Sequence, residues 1–202
     1  FKPSVMNGTE HKFSAPNISD SIPNHYSYKR FLPPVLDQGA NPICVPCSVS
    51  SYLNWRENLK NRSKKDNKID YFEIYDSKAT EGEGMTFKEA FYYLRHHGVS
   101  SKADNLEIEE YSFVGSALLL KFALVLNGPC LGALPVYNNT PEFWIKRTGD
   151  RLEGYHAIAI VGYDKNGFII RNSWGTSFGQ RGYTTLRYED FNSFLELWTI
   201  SE

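Results

Sequence analysis

The sequence predicts an α+β domain with two unlike lobes, and three observations support that fold class. The chain has 202 residues, of which 41% are hydrophobic and 15% aromatic, so it can bury a core for one domain or for two lobes that share one. Apolar residues recur at helical spacing in the first half of the chain, whereas runs typical of strands begin at Cys130. Because the helices precede the strands, an α+β arrangement is indicated.

The predicted domain follows a polar arm. Residues 1–21 contain prolines and show no hydrophobic period, which is typical of an arm lying over the domain or of the remnant of a longer leader. Residues 22–202 are predicted to form the domain itself, with a helical lobe over about 31–105 and a β-rich lobe over about 106–202.

Three segments of the chain have helical patterns. The first is predicted to begin close to Cys44, because Pro46 is tolerated in the first turn of a helix but not in its interior. The second opens on Thr86 and Glu89, which have the spacing of a capping box. The three predicted helices are 44–59, 86–97 and 115–127.

Four later segments have strand patterns. The turn Asp164-Lys-Asn-Gly lies between two of them and is a typical hairpin signal. Two antiparallel strands joined in this way bring residues on either side of the turn next to each other. The four predicted strands are 130–137, 156–163, 167–172 and 182–188.

Charge and composition exclude several classes of partner. The net charge is −1 and the pI about 6.6, so the chain has no global basic excess for nucleic acid. It contains no apolar run of about 18 residues and no signal-peptide pattern, so no membrane partner is predicted. An odd, small number of cysteines favours a reducing setting, intracellular or virion-associated, over a disulfide-stapled scaffold. The oligomeric state is not defined by the sequence.

Cys44 and His156 are the residues best suited to nucleophilic chemistry. Unpaired N–H groups at a helix start favour a thiolate, so a cysteine at the start of the first helix has a lowered pKa. Such a thiolate needs an imidazole partner, and His156 begins an apolar strand that would hold its ring in place. Taken alone, each residue is more often structural, a buried thiol or a core histidine.

Asn172 and Gln38 complete a possible catalytic set. Asn172 lies 16 residues after His156, across the predicted hairpin, where its carboxamide would orient the imidazole. Trp174 would cover that hydrogen bond and exclude water. Gln38 precedes Cys44 by six residues, and its amide would stabilise a developing oxyanion together with the backbone N–H of Cys44.

These residues lie in three blocks that resemble the signature blocks of papain-like cysteine proteases. The blocks are Asp37-Gln-Gly-Ala-Asn-Pro-Ile-Cys44, Tyr155-His-Ala-Ile-Ala-Ile-Val-Gly-Tyr163 and Arg171-Asn-Ser-Trp-Gly175. The resemblance covers about residues 22–190 and is nearest in pattern to compact bacterial and viral members. It implies a papain-like fold, with a helical left lobe, a β-barrel-like right lobe and an active site in the cleft between them. It also implies a cysteine endopeptidase acting on proteins or peptides without a cofactor or metal.

The resemblance further implies a role for particular residues. Cys44 would be the nucleophile, His156 the base and acid, Asn172 the orienting residue and Gln38 an oxyanion donor. The family spacing of six positions from the glutamine selects Cys44 over Cys47 as the nucleophile. Four further positions would bind an extended peptide: Gly84, Met85, Gly154 and Tyr155.

Four alternatives remain open from the sequence. Cys44-Val-Pro-Cys47 resembles a dithiol redox motif, but the strand context of a thioredoxin is missing. A reversible disulfide between the same two cysteines would switch a protease off. A Cys/His hydrolase of peptidoglycan peptides uses a related catalytic pair. A non-catalytic descendant that only binds peptides is disfavoured by the intact set of four residues.

Overall fold

The computed structural model describes residues 1–15, 22–78 and 84–202. Three of its α-helices confirm the predicted helices to within two residues at each end, and a fourth, α2, was not predicted. The capping box at the start of α3 is present, with the Thr86 and Glu89 side chains each bonded to the other residue's backbone N–H. The helices are α1 (Cys44–Lys60), α2 (Tyr71–Asp76), α3 (Phe87–His96) and α4 (Ala117–Asn127).

Nine strands are described, and most of them form one antiparallel sheet. The four strands predicted from the sequence correspond to β5, β6, β7 and β8. The nine are β1 (Tyr26–Ser27), β2 (Val99–Ser100), β3 (Asn105–Leu106), β4 (Glu110–Phe113), β5 (Cys130–Val136), β6 (Gly154–Tyr163), β7 (Gly167–Arg171), β8 (Tyr183–Arg187) and β9 (Glu196–Ser201). The main sheet has the order β4-β9-β5-β6-β7-β8, and β1 pairs with β6. The small strands β2 and β3 pair with each other.

The sheet is open, which corrects the expectation of a β-barrel-like right lobe. Strands β4 and β8 are the two ends of the main order, so the sheet does not close on itself. The outer edge of β4 is instead paired with the N-terminal arm. Phe113 donates its N–H to the carbonyl of His11 and accepts a hydrogen bond from the N–H of Phe13. These backbone bonds occupy the edge that barrel closure would need.

Strand β6 lies at the centre of the fold and serves two cores. Its side chains alternate, as those of a strand must. Ala157, Ala159 and Val161 pack in the cluster that contains the buried face of α1. Ile158 and Ile160 pack in the second cluster, which contains α4. The sheet is therefore covered by a helix on each face, by α1 on one and by α4 on the other. The β6 side chains on the α1 face nearest His156, Ala157 and Ala159, are small.

The described part of the arm, residues 1–15, lies against the domain. Lys2 donates its backbone N–H to the carbonyl of Met85, and Lys88 forms an ion pair with Glu10 at 2.5 Å. Residues 16–21, the rest of the predicted arm, lie outside the described residues. Within the part of the chain that is described, no helix has both the length and the apolar character that a membrane span requires.

Candidate active site

The helix start at Cys44 places a thiol against the face of the sheet, next to β6. Cys44 is the first residue of α1, and Pro46 lies in its first turn, where a missing N–H costs no helical hydrogen bond. No side chain caps this helix end, so the dipole and N–H groups of the first turn remain available to a negative charge. The Cys44 side chain is 3% exposed.

His156 and Asn172 are brought together by the β6–β7 hairpin. The Nε2 atom of His156 lies 2.7 Å from Oδ1 of Asn172. The same Oδ1 accepts the backbone N–H of Ser173 at 2.7 Å, which identifies it as the carbonyl oxygen of the amide. Since that oxygen can only accept, Nε2 carries the proton and Nδ1 is the nitrogen free to face a nucleophile.

Aromatic rings enclose the imidazole. The indole of Trp174 stacks on His156 with a centroid distance of 4.6 Å and an interplanar angle of 27°. Phe143 meets the same imidazole edge-on at 5.8 Å. Both His156 and Asn172 are buried, so their hydrogen bond is shielded from water. The sequence analysis expected Trp174 to cover this bond, and its indole does stack on the imidazole.

The thiol in contact with His156 is that of Cys44. Burial alone would raise the pKa of this thiol, but the hydrogen bond from His156 and the charge of the imidazole lower it to about 6. Cys47 is one turn further along α1 and has no such partner. Burial and the nearby Cys44 raise the pKa of the Cys47 thiol to about 12. The two cysteines are both free and therefore differ sharply in reactivity.

Gln38 is held next to Ser173 by a backbone hydrogen bond and a side-chain hydrogen bond. Its N–H donates to the carbonyl of Ser173 at 2.9 Å, and its Oε1 accepts from the hydroxyl of Ser173 at 2.6 Å. Ser173 follows Asn172 directly, so the Gln38 loop and the orienting residue share one anchor. The side-chain Nε2 donates to the carbonyl of Asn41 at 2.9 Å, which leaves its second N–H available.

Of the predicted peptide-binding residues, Gly84 and Met85 contact the N-terminal arm. A Cβ added at Gly84 would lie 2.8 Å from the backbone nitrogen of Phe1. The carbonyl of Met85 accepts the N–H of Lys2 at 3.1 Å, and the Met85 side chain is buried in the core that also contains Cys44. The arm therefore makes main-chain contacts at the edge that the sequence resemblance assigns to a peptide.

The other two predicted peptide-binding residues, Gly154 and Tyr155, are next to His156 in the chain. They begin β6, pair with Val136 and Pro135 of β5, and directly precede His156. Both are partly exposed.

Three supporting residues were not found from the sequence. Ser173 anchors Gln38, and Phe143 packs on His156, but neither has a distinctive local pattern. Arg171 is 4% exposed, and its guanidinium donates to the carbonyls of Pro33 and Pro34 at 2.9 and 3.0 Å. The sequence did carry a signal for Arg171: it precedes the predicted site residue Asn172 in an apolar strand, and an arginine buried there requires hydrogen-bond acceptors.

The structure thus brings together a buried thiol, an imidazole and a carboxamide between α1 and the face of an antiparallel sheet, an arrangement similar to the one expected from the resemblance to papain-like cysteine proteases. The comparisons with known proteins agree with this class. The family model described as "Papain family cysteine protease" matches residues 119–195, a region that includes His156 and Asn172.

Relatives match parts of the chain. Papain of Carica papaya is 46% identical over 39 residues, which are 19% of this chain and 11% of that protein. An uncharacterized peptidase C1-like protein of Acanthamoeba polyphaga mimivirus is 39% identical over 96 residues, which are 41% of this chain and 31% of that protein. The matched segments thus span less than a third of either relative.

The whole fold matches a solved structure. Xylellain, a cysteine protease from Xylella fastidiosa, superposes with a TM-score of 0.84 at 22% identity, over 100% of this chain and 94% of that chain. This likeness confirms the predicted α+β, papain-like fold. The chain is thus similar to papain-like cysteine proteases in its fold over its whole length and in its sequence over residues 119–195.

Proposed function

We propose that this chain is a cysteine endopeptidase that hydrolyses peptide bonds in proteins or peptides. The observation that carries the proposal is the contact of the Cys44 thiol with His156, which lowers the thiol pKa to about 6 while Asn172 holds the other ring nitrogen. A thiolate–imidazolium pair is both the nucleophile and the proton source that acyl transfer requires.

In the proposed mechanism, the Cys44 thiolate attacks the carbonyl carbon of the scissile bond. The oxyanion that forms accepts hydrogen bonds from the free N–H of the Gln38 amide and from the backbone N–H of Cys44. The His156 imidazolium protonates the leaving amine, and the neutral ring then takes a proton from the water that releases the acyl group. Asn172 keeps the ring oriented through both steps.

Substrate binding is proposed to use main-chain bonds. An extended peptide would pair with the backbone at Gly84 and Met85 by strand addition, and Gly154 and Tyr155 would line the opposite wall. The contacts that Phe1 and Lys2 make at the first two positions support this assignment, because they show a backbone edge able to hold another chain.

The proposed organisation remains an arm over 1–21 and a peptidase domain over 22–202, with lobes divided near residue 106. The three free cysteines fit a reducing setting, which we keep as part of the proposal.

The experiment is a cleavage profile on a peptide library, run with and without an epoxide inhibitor specific for active-site thiols. We expect cleavage of ordinary peptides that the epoxide stops, together with one inhibitor adduct per chain on Cys44. Cleavage confined to cell-wall peptides containing D-amino acids would identify a peptidoglycan hydrolase instead. Saturable peptide binding without any cleavage would identify a non-catalytic descendant.

A further inference from the structure

A long groove lies at the far end of α1 from Cys44. One part of it has a volume of about 470 Å³ and lies between the last turns of α1 and α4. A second part, of about 510 Å³, continues over the segment that follows α1. The two parts share Arg30, Phe31 and Leu59, so they form one surface, which we call the α1-end groove.

The floor of the α1-end groove is apolar. Leu59 and Leu126, in the last turns of α1 and α4, are 44% and 53% exposed. Trp55 lies beneath them and is 8% exposed. Its indole nitrogen is buried without an acceptor among the described residues, and buried donors of this kind are rarely left unpaired.

The rim of the groove is basic. Arg30, Arg62 and Lys64 line it, and among its described lining residues there is no Asp or Glu. None of the three forms an ion pair with a described residue, and all three are exposed. On a chain of net charge −1, this is a local positive potential over an apolar floor.

We infer that the α1-end groove docks an extended segment of a protein substrate in which acidic residues accompany large apolar ones. The apolar side chains would cover Leu59 and Leu126, and the carboxylates would meet Arg30, Arg62 and Lys64. This inference rests on the proposed function, because it adds a recruitment site to the peptidase.

A peptide suits the groove better than a nucleic acid. Bases bind by stacking on exposed aromatic faces, whereas the most exposed side chains of this floor are the aliphatic Leu59 and Leu126. Fifteen residues of α1 separate Cys44 from Leu59, which is about 22 Å at the rise of an α-helix. A substrate segment some ten or more residues from the scissile bond can therefore reach the groove while that bond lies at Cys44.

The first test measures binding without cleavage. A fluorescein-labelled twelve-residue peptide of alternating Glu or Asp and Leu or Phe is titrated with the full chain carrying Cys44→Ala, and anisotropy is read. We expect saturable binding that Arg62→Glu/Lys64→Glu weakens by about tenfold or more at low salt. The matched control, Lys102→Glu/Lys165→Glu, makes the same charge change at exposed lysines outside the groove and should alter the Kd less than about twofold.

Two further probes define the chemistry of the groove. The same peptide with every acidic residue replaced by Lys should not bind, and a twelve-nucleotide oligo-dT should bind more weakly than the acidic peptide. Leu59→Ser/Leu126→Ser should weaken binding of the acidic peptide without changing how steeply its Kd depends on salt concentration. Tighter binding of oligo-dT would overturn the inference in favour of a nucleic-acid groove. It is equally overturned by absent binding, or by equal losses in the charge-reversed and control pairs.

The second test links the groove to cleavage. A short reporter peptide is compared with the same reporter carrying the acidic segment on a flexible tail of about fifteen residues. We expect the tail to lower KM in the unsubstituted enzyme but not in Arg62→Glu/Lys64→Glu, whose KM and kcat for the short reporter should be unchanged. If neither enzyme cleaves any reporter, the proposed function fails, while the binding test still decides the groove.

Discussion

The lowered pKa of Cys44 gives the sharpest prediction. The thiol has a pKa of about 6 in place of the ordinary 9.0 because His156 hydrogen-bonds to it and carries positive charge, which outweighs the raising effect of burial. At pH 7 a thiol of pKa 6 is about 90% thiolate, whereas one of pKa 9 is about 1% thiolate. Replacing the imidazole with a neutral amide, His156→Gln, should therefore reduce the thiolate at Cys44 by about 90-fold or more.

The assay is the rate of alkylation by iodoacetamide, because the thiolate is the reacting species. Rates are measured from pH 4 to 10 in a Cys47→Ser background, so that modification of the helix-start peptide reports Cys44 alone. The unsubstituted site should label at half its plateau rate near pH 6. Because the pKa is lowered, reactivity should be present above that pH and lost as the pH falls through it.

The His156→Gln chain should instead show a rate that is still rising at pH 9, with a loss of about 90-fold at pH 7. The assignment of His156 as the partner of Cys44 would be refuted by either of two results. In the unsubstituted site, Cys44 would reach half its plateau rate near pH 9, as an ordinary thiol does, or the His156→Gln chain would label with an unchanged pH profile. Cys130 serves as an internal control, because burial raises the pKa of its thiol to about 12 and it should remain unlabelled.

Three other predictions follow from the site and its supports. Cys44→Ala should abolish peptide hydrolysis while Cys47→Ala retains measurable activity; the reverse pattern would show that the wrong cysteine was assigned. Asn172→Ala should lower kcat by about tenfold or more in steady-state assays, because the imidazole loses its orienting acceptor, and an unchanged kcat would argue against that role. Arg171→Met should lower the free energy of unfolding by about 3 kcal/mol in urea titrations, since the buried carbonyl of Pro33 and the partly buried carbonyl of Pro34 lose a charged donor; a loss below about 1 kcal/mol would contradict this.

A final prediction concerns the arm. Deleting residues 1–4 should raise kcat/KM for peptides, because Lys2 and Phe1 contact the backbone at Gly84 and Met85, where the substrate is proposed to bind. The melting temperature measured in parallel controls for damage to the fold. An unchanged kcat/KM in a chain of unchanged stability would mean that this edge is not the substrate-binding edge.

The sequence predicted a helix or strand pairing well where the signal lay within a few consecutive residues. The capping box of Thr86 and Glu89 predicted the start of α3, and the Asp164-Lys-Asn-Gly turn predicted the pairing of β6 with β7. The short strands β1 to β4, strand β9 and the short helix α2 were not predicted. Helix α2 has only six residues, too few for a helical period, and β9 lies next to a 3₁₀ segment, Tyr188–Ser193, without a turn signal between strands.

The lobe that was expected to be β-barrel-like is an open sheet for a tertiary reason. Whether an antiparallel sheet closes depends on which backbone groups meet the end strands. The edge of β4 is taken by His11 and Phe13, which are about a hundred residues earlier in the chain. No local pattern in either segment encodes that pairing.

The sequence alone determined which residue types were available and in what order: a cysteine at a helix start, a histidine and an asparagine on two strands of a hairpin, and a glutamine six positions before the cysteine. Those are local facts, set by spacing and by turn chemistry. The spacing from Gln38 had already selected Cys44 over Cys47, but only the tertiary structure decided that the Cys44 thiol contacts His156, that Ser173 holds Gln38 and that the arm meets Gly84. Each of these depends on groups far apart in the chain, which packing of the sheet against α1 brings within hydrogen-bonding distance.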